Sequence, residues 1–310
     1  MQVEPLITWQ EPLTEYVGML AQFLGLGAVG FRFAAVRGRL QTSPSADERR
    51  VYDDALQRAA VLGLCGVVVQ AGMFATSLPQ LAARQHTTVP ALLTGSLPTG
   101  AEALLFILAL LGLALAAARQ RGGWYLALVG TIFATLTAVL AGKWSSLVNP
   151  LHRVVGGLWL GTLFVLVVAG LSIVLRDEKT RERRGAIAAD LVNGFSPMAL
   201  TCGVIVVASG LTTAWKHLTP LSSLWTTPYG YALLVKLCIV AVVFGLGAWN
   251  WQRVRPILGS EDAAHRVRRS AKAELTAAAL VLVASAILVS LPSPRPPRPP
   301  AGAAAAGSTP

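Results

Sequence analysis

The sequence predicts an all-α, polytopic membrane helix bundle of about eight transmembrane helices, with N- and C-termini outside. Composition is the first reason. Of 310 residues, 54% are hydrophobic and only 13% are charged, whereas a soluble domain carries about a quarter charged residues. Mean hydropathy is +0.58. Clustering is the second reason: the apolar residues gather into uncharged runs of roughly 17 to 25, long enough for a helix to cross about 30 Å of hydrocarbon. The third is the alternation of Lys and Arg from loop to loop.

The first span runs from about Leu13 to Val36 and the second from about Ala55 to Leu78. The third covers about Ala103 to Ala118 and the fourth about Trp124 to Gly142. Only a few residues around Arg119 to Gly122 join these two, which predicts a tight antiparallel hairpin. The fifth is about Leu151 to Leu175 and the sixth about Phe195 to Trp215. The seventh is about Tyr229 to Trp251, and the eighth about Leu275 to Leu291. Continuous runs of this length indicate helices; barrel strands would alternate over shorter segments.

Most of the 26 basic residues fall after spans one, three, five and seven, for instance Arg49 and Arg50, Arg119 and Arg121, Arg183 and Arg184, and Arg268 and Arg269. The opposite side carries Arg84, Lys143, Arg153, Lys216, Arg295 and Arg298. Basic loops stay in the cytoplasm, and an even number of spans keeps the alternation intact. The domain reading is a short outer segment over 1–12, a transmembrane domain over 13–291 and a disordered Pro/Ala-rich outer tail over 292–310. The stretch from Arg37 to Asp54 reads as a solvated loop. No basic n-region precedes the first span, so no cleavable signal peptide is expected.

The net charge of +11 is explained by topology, and a nucleic-acid partner is not expected. Cys65, Cys202 and Cys238 lie singly within apolar runs and read as apolar fillers. Walker A, GxSxG and HExxH patterns are absent, and nothing argues for an enzyme.

Among four histidines, His86, His152 and His217 map to the outer side and His265 to a basic loop. Imidazole binds several transition metals, and thioethers favour Cu(I). Met19 and Met73 fall in the outer halves of spans one and two. His152, His217, His86, Met73 and Met19 are therefore the candidate metal ligands; the bland alternative is interfacial histidines and packing methionines. Lys236 is an intramembrane charge, about 10 Å into span seven at 1.5 Å per residue. Such a group faces the bundle interior or snorkels to the interface. Trp159 shares a helical face with His152, and Gly156, Gly157 and Gly161 on that helix permit close approach by a neighbour.

Three segments resemble the copper resistance protein D (CopD) family of bacterial inner-membrane proteins. One is His152-Arg-Val-Val-Gly-Gly-Leu-Trp159-Leu-Gly161. Another runs from Phe195-Ser196-Pro197 through Gly210-Leu-Thr-Thr-Ala-Trp215 to Leu224-Trp225-Thr226-Thr227-Pro228-Tyr229-Gly230, Lys236 and Asn250. The last is Arg268-Arg269-Ser270 leading to Glu274 and the final apolar run. The CopD-like part is thus about 151–291. The resemblance implies a multi-pass protein of the bacterial inner membrane that handles copper. It would move the ion across the bilayer or receive it from a periplasmic copper-binding protein of the CopC type.

One departure is Gly142-Lys143, where family members often show Gly-His. It keeps open a second reading, a non-catalytic scaffold or assembly partner. A third reading, a b-type haem electron carrier, is opposed by the lack of histidines at mid-membrane depth. The chain begins directly at its first helix, so no fused copper-binding head is expected.

Overall fold

The structure, a computed structural model, describes residues 8–36, 38, 44–141, 147–217, 221–249, 252 and 261–291. In chain order α1 covers Gln10–Val36, α2 Ala46–Arg84, α3 Val89–Gly95, α4 Leu97–Ala117 and α5 Gly123–Leu136. Then follow α6 Val148–Val174, α7 Arg184–His217, α8 Ser223–Thr226, α9 Pro228–Trp249 and α10 Glu261–Ser290. Among the described residues there is no strand. This is a polytopic all-α membrane bundle.

Among the described residues seven helices are long and apolar enough to cross a membrane: α1, α2, α4, α6, α7, α9 and the Lys272–Ser290 part of α10. The expected fourth span is shorter than that. It is α5, an apolar helix of 14 residues, continued by the 3-10 turn Thr137–Ala141. Gly142 and Lys143, the departure noted above, lie outside the described residues, as do the 1–7 and 292–310 segments.

Helices α1 and α6 form the centre. Their most apolar windows are 67% and 78% buried, against 11% for α9. What lets them meet is an absence of side chains. A Cβ at Gly161 would strike the Phe23 carbonyl, and one at Gly27 would strike the Gly161 backbone. Gly157 is equally close to Leu26. Without a hydrophobic driving force between helices in lipid, backbone approach of this kind is what van der Waals packing relies on. The glycines of span five thus do permit close approach, and the neighbour is α1. Thr162, fully buried, reinforces the crossing by donating to the Gly27 carbonyl.

The α4–α5 hairpin uses the same device, with Gly112 against Gly123 and Ala127, and Gly130 against Ala109. Its turn ends α4 with Arg119 at φ 62°, Arg119 N–H donating to Ala116 and Gln120 N–H to Leu115. That is a Schellman stop, whose left-handed residue is usually glycine. Large side chains such as Leu104, Ile107, Val129 and Phe133 point outward, the surface that hydrocarbon solvates.

Two expectations are corrected in detail. The segment read as a solvated loop up to Asp54 is helical from Ala46 onward. Ser45 and Glu48 form a reciprocal capping box, and Asp47 and Glu48 sit at the positive end of the helix dipole, so the helix starts well before the apolar run. Likewise α7 begins at Arg184, well before Phe195. Both helices extend beyond their apolar windows toward the arginine-rich face. There Arg50 pairs with Asp177 at 2.6 Å, Arg119 with Asp54 at 2.8 Å and Arg183 with Glu48 at 3.1 Å. These pairs draw the basic loops after spans one, three and five onto one face of the bundle.

Candidate functional site

On the opposite face α6 and α7 run antiparallel, and two polar contacts register them. Thr213 Oγ1 donates to Asn149 Oδ1 at 3.0 Å. Half-buried His152 places Nδ1 2.9 Å from Ser209 Oγ. Ser209 Oγ also lies 2.6 Å from the Ile205 carbonyl and 3.2 Å from the Val206 carbonyl. With the Ser209 proton on either carbonyl, Oγ accepts from Nδ1–H, and the lone pair of the neutral imidazole then lies on Nε2. In that tautomer Nε2 is the ring nitrogen left with the lone pair.

Helix α9 completes the cluster. Phe244 stacks at a tilt on Trp159 of α6, ring centroids 5.0 Å apart. It also fills the space above Gly203 of α7, where a Cβ would come within 3.2 Å of the ring. Wedged there, α9 holds Lys236 half-buried and within electrostatic range of His152. Among the described residues no carboxylate pairs with this lysine.

Helix α7 presents an inward seam at heptad spacing, with Leu191, Phe195, Cys202 and Ser209 buried and Met198 and Ile205 half-buried. Cys202 is 5% exposed and Ser209 7%. Met198 packs into the core with its methyl group aimed at Gly30 of α1. Spacing of this kind winds a left-handed seam onto neighbouring helices. It sets Cys202 about 10 Å and Met198 about 16 Å below Ser209 along the helix. From sequence alone Cys202 reads as apolar filler, and nothing singles out Met198. The heptad was legible in the sequence, but which neighbours it faces was not.

Beside His152, Arg153 leads a second polar group. Its Nε donates to Gln22 Oε1 at 3.1 Å, and Gln22 Nε2 donates to Thr135 Oγ1 at 2.8 Å. Gln22 is only 3% exposed. Glu102 of α4 interacts with the Arg153 charge and hydrogen-bonds Thr137. Four helices (α1, α4, α5 and α6) are thereby tied around the membrane end at which His152 sits. Gln22 and Glu102 escaped the sequence reading because each looks like an isolated polar residue until its partners are known.

The remaining candidates are placed as follows. Met19 and Met73 lie on the adjacent helices α1 and α2, with the Met73 methyl group 3.3 Å from where a Gly18 Cβ would be. Both are half-buried. His86 is exposed, at φ 53°. It is the left-handed stop of α2, with Thr87 N–H reaching back to Ala82, and stands about 20 Å beyond Met73 along the helix direction. His217 ends α7, and its side chain lies outside the described residues. Among the described residues no three His, Cys, Asp or Glu side chains converge as a metal site. The structure thus joins His152 to Ser209 and Lys236, and Met19 to the neighbourhood of Met73, as two separate groups.

Comparison with known proteins bears on the same helices. Residues 189–288 match the family model for copper resistance protein D. They include Met198, Cys202, Ser209 and Lys236, while His152 lies before them. A curated relative, the copper transport protein CutJ of Bacillus subtilis (strain 168), is 31% identical over 148 residues. That alignment covers 48% of this chain and 25% of the relative, so the chain spans about a quarter of that protein's length. No solved structure matches the chain. The segment that carries most of α7, α9 and most of α10 is thus similar to the copper resistance protein D family.

Proposed function

We propose that this protein handles copper in the bacterial inner membrane, moving the ion between the outer face and the bundle interior. The observation that supports this most is the His152–Ser209 contact. It presents a free imidazole nitrogen at one end of a helix seam that continues with Cys202 and Met198. Nitrogen at the surface followed by soft sulfur donors suits copper, and above all Cu(I). Copper here is cargo, so a transient ligand set with few donors at each level fits better than a closed cage.

In this reading the arginine-rich face is cytoplasmic by the positive-inside rule, and His152 faces the periplasm. His152 takes the ion through Nε2, and Ser209 holds the ring. Lys236 sets an opposing positive charge beside it, which limits how tightly a cation is held and favours release inward. His217, at the end of α7, and a periplasmic carrier of the CopC type are the proposed donors to His152. Met19 and Met73 form an outer pair on α1 and α2 that can hold copper on its way. The role is that of a transporter, not a catalyst.

The test is the copper content of cells expressing wild-type protein or His152→Ala at matched membrane levels, measured by elemental analysis. The wild type is expected to change cellular copper and the variant to lose that change. Equal copper in wild-type, variant and empty-vector cells sinks the proposal and favours the scaffold reading. That reading keeps the shared fold and predicts a co-purifying partner.

A further inference from the structure

On the arginine-rich face, the ends of α1, α2, α4 and α5 enclose a cavity of about 310 Å³ that the copper reading does not use. Its volume sits at the lower end of the about 300–1,000 Å³ found for small-molecule sites. Arg32, Arg49, Arg119 and Arg121 line it, against one carboxylate, Asp53. Trp124, 4% exposed, forms part of the wall.

The arginines are not equivalent. Arg119 is committed: its Nη2 donates to Asp54 Oδ1 at 2.8 Å, and Nε and Nη2 both donate to Gln57 Oε1. Gln57 is fixed in turn by donating to the Ala117 carbonyl. The left-handed backbone at Arg119 turns its side chain onto α2, in a conformation that costs a non-glycine residue roughly 1 kcal/mol or more. A glycine would end the helix without that cost. With Arg119 so engaged, the wall of the cavity is rigid. Arg49 and Arg121 are exposed and make no ion pair among the described residues. Arg49 and Arg121 thus line the cavity without an ion pair of their own among the described residues, and guanidinium groups bind phosphate oxygens in pairs.

We infer that this cavity binds a phosphate group, held chiefly by Arg49 and Arg121 against the Arg119–Gln57 wall. The group can come from the headgroup of an anionic phospholipid or from a soluble phosphate compound. The shared chemistry is a dianionic or monoanionic phosphate meeting paired guanidinium groups. Its place among helix ends on the face that the positive-inside rule assigns to the cytoplasm matches where basic pockets meet lipid headgroups. This inference is independent of copper.

The test uses the full chain in a neutral detergent. Phosphatidylglycerol, phosphatidylcholine and inorganic phosphate are each titrated, and the rise in melting temperature is read as binding. The proteins are wild type, the double variant R49Q/R121Q and, as a control on the opposite face, R84Q. Stabilisation of wild type and R84Q by phosphatidylglycerol or phosphate, but not by phosphatidylcholine, is expected. R49Q/R121Q should need roughly tenfold more of the same probe. Response to the lipid alone identifies a headgroup site, and response to phosphate itself a soluble ligand. Equal responses of R49Q/R121Q and wild type overturn the inference, as does a wild type that responds to neither anionic probe.

Discussion

Ser209 Oγ lies 2.9 Å from His152 Nδ1 and 2.6 Å from the Ile205 carbonyl of its own helix. One hydroxyl thereby ties the orientation of the ring to the register of two antiparallel helices. The first prediction follows from this. Ser209→Ala should leave the bundle folded but free the ring. Copper affinity should fall about 10- to 100-fold, as when outer-shell partners of metal-ligating histidines are removed. Cu(I) competition with a chelator of known affinity measures this, and unchanged affinity would show that Ser209 does not orient a ligand.

Lys236→Met removes a charge while keeping the length of the side chain. A cation at His152 is repelled by this lysine, so the variant should hold Cu(I) more tightly, on the order of tenfold. Its release should slow in proportion. Weaker binding in the variant would mean that the lysine supports the site and does not oppose the ion.

The α1–α6 crossing has no room for a side chain. Gly161→Val is expected to cost about 3 kcal/mol or more, because the new atoms meet the Phe23 backbone and not a movable side chain. Gly245→Val, where a Cβ meets nothing within 4 Å, is the matched control and should change little. Thermal melting in detergent distinguishes them; similar losses at both glycines would place the centre of the bundle elsewhere.

At the arginine-rich face, Asp177 shows a pH dependence with a definite sign. Partial burial opposes its charge, but hydrogen bonds from Thr180 and Arg50 outweigh this and hold the carboxyl below its ordinary value of 3.8. A depressed folded pKa means that the stabilisation is complete above the unfolded value. It is lost as pH falls through the lowered folded value. Asp177→Asn should therefore melt below wild type at neutral pH, by about 1 kcal/mol given the exposure of Arg50. The gap should close as the solution is acidified below the ordinary carboxylate range. A gap that persists in acid would assign the effect to shape and not to charge.

His86 provides a separate test of the ligand assignment. As the left-handed stop of α2 it should accept glycine readily, and His86→Gly should raise stability by about 0.5–1 kcal/mol. Copper handling should survive the change. Loss of copper response in this variant would make His86 a ligand despite its distance from the other groups.

Much of this architecture was legible from sequence because bilayer thickness dictates helix length and basic loops mark one face. Span five, Leu151 to Leu175, and span seven, Tyr229 to Trp251, lie close to α6 and α9. The start of α2 was also readable, since Ser45 and Glu48 spell a capping box, but charge and Pro44 suggested a loop. What could not be read was contact. His152 meets a serine 57 residues away, and Arg153 meets a glutamine 131 residues away. No periodicity encodes such pairs. Gln22, Glu102 and Ser209 gain meaning only when the α1–α6 crossing and the α6–α7 register are known.

The central claim, that His152 stands on a copper path, is tested most directly by Cu(I) uptake into proteoliposomes. Purified wild type, His152→Ala and Cys202→Ser would be reconstituted at equal density and the initial rates compared. The account predicts uptake by wild type, loss with His152→Ala and a marked fall with Cys202→Ser, without change in melting temperature. Uptake at the wild-type rate in His152→Ala liposomes would contradict it.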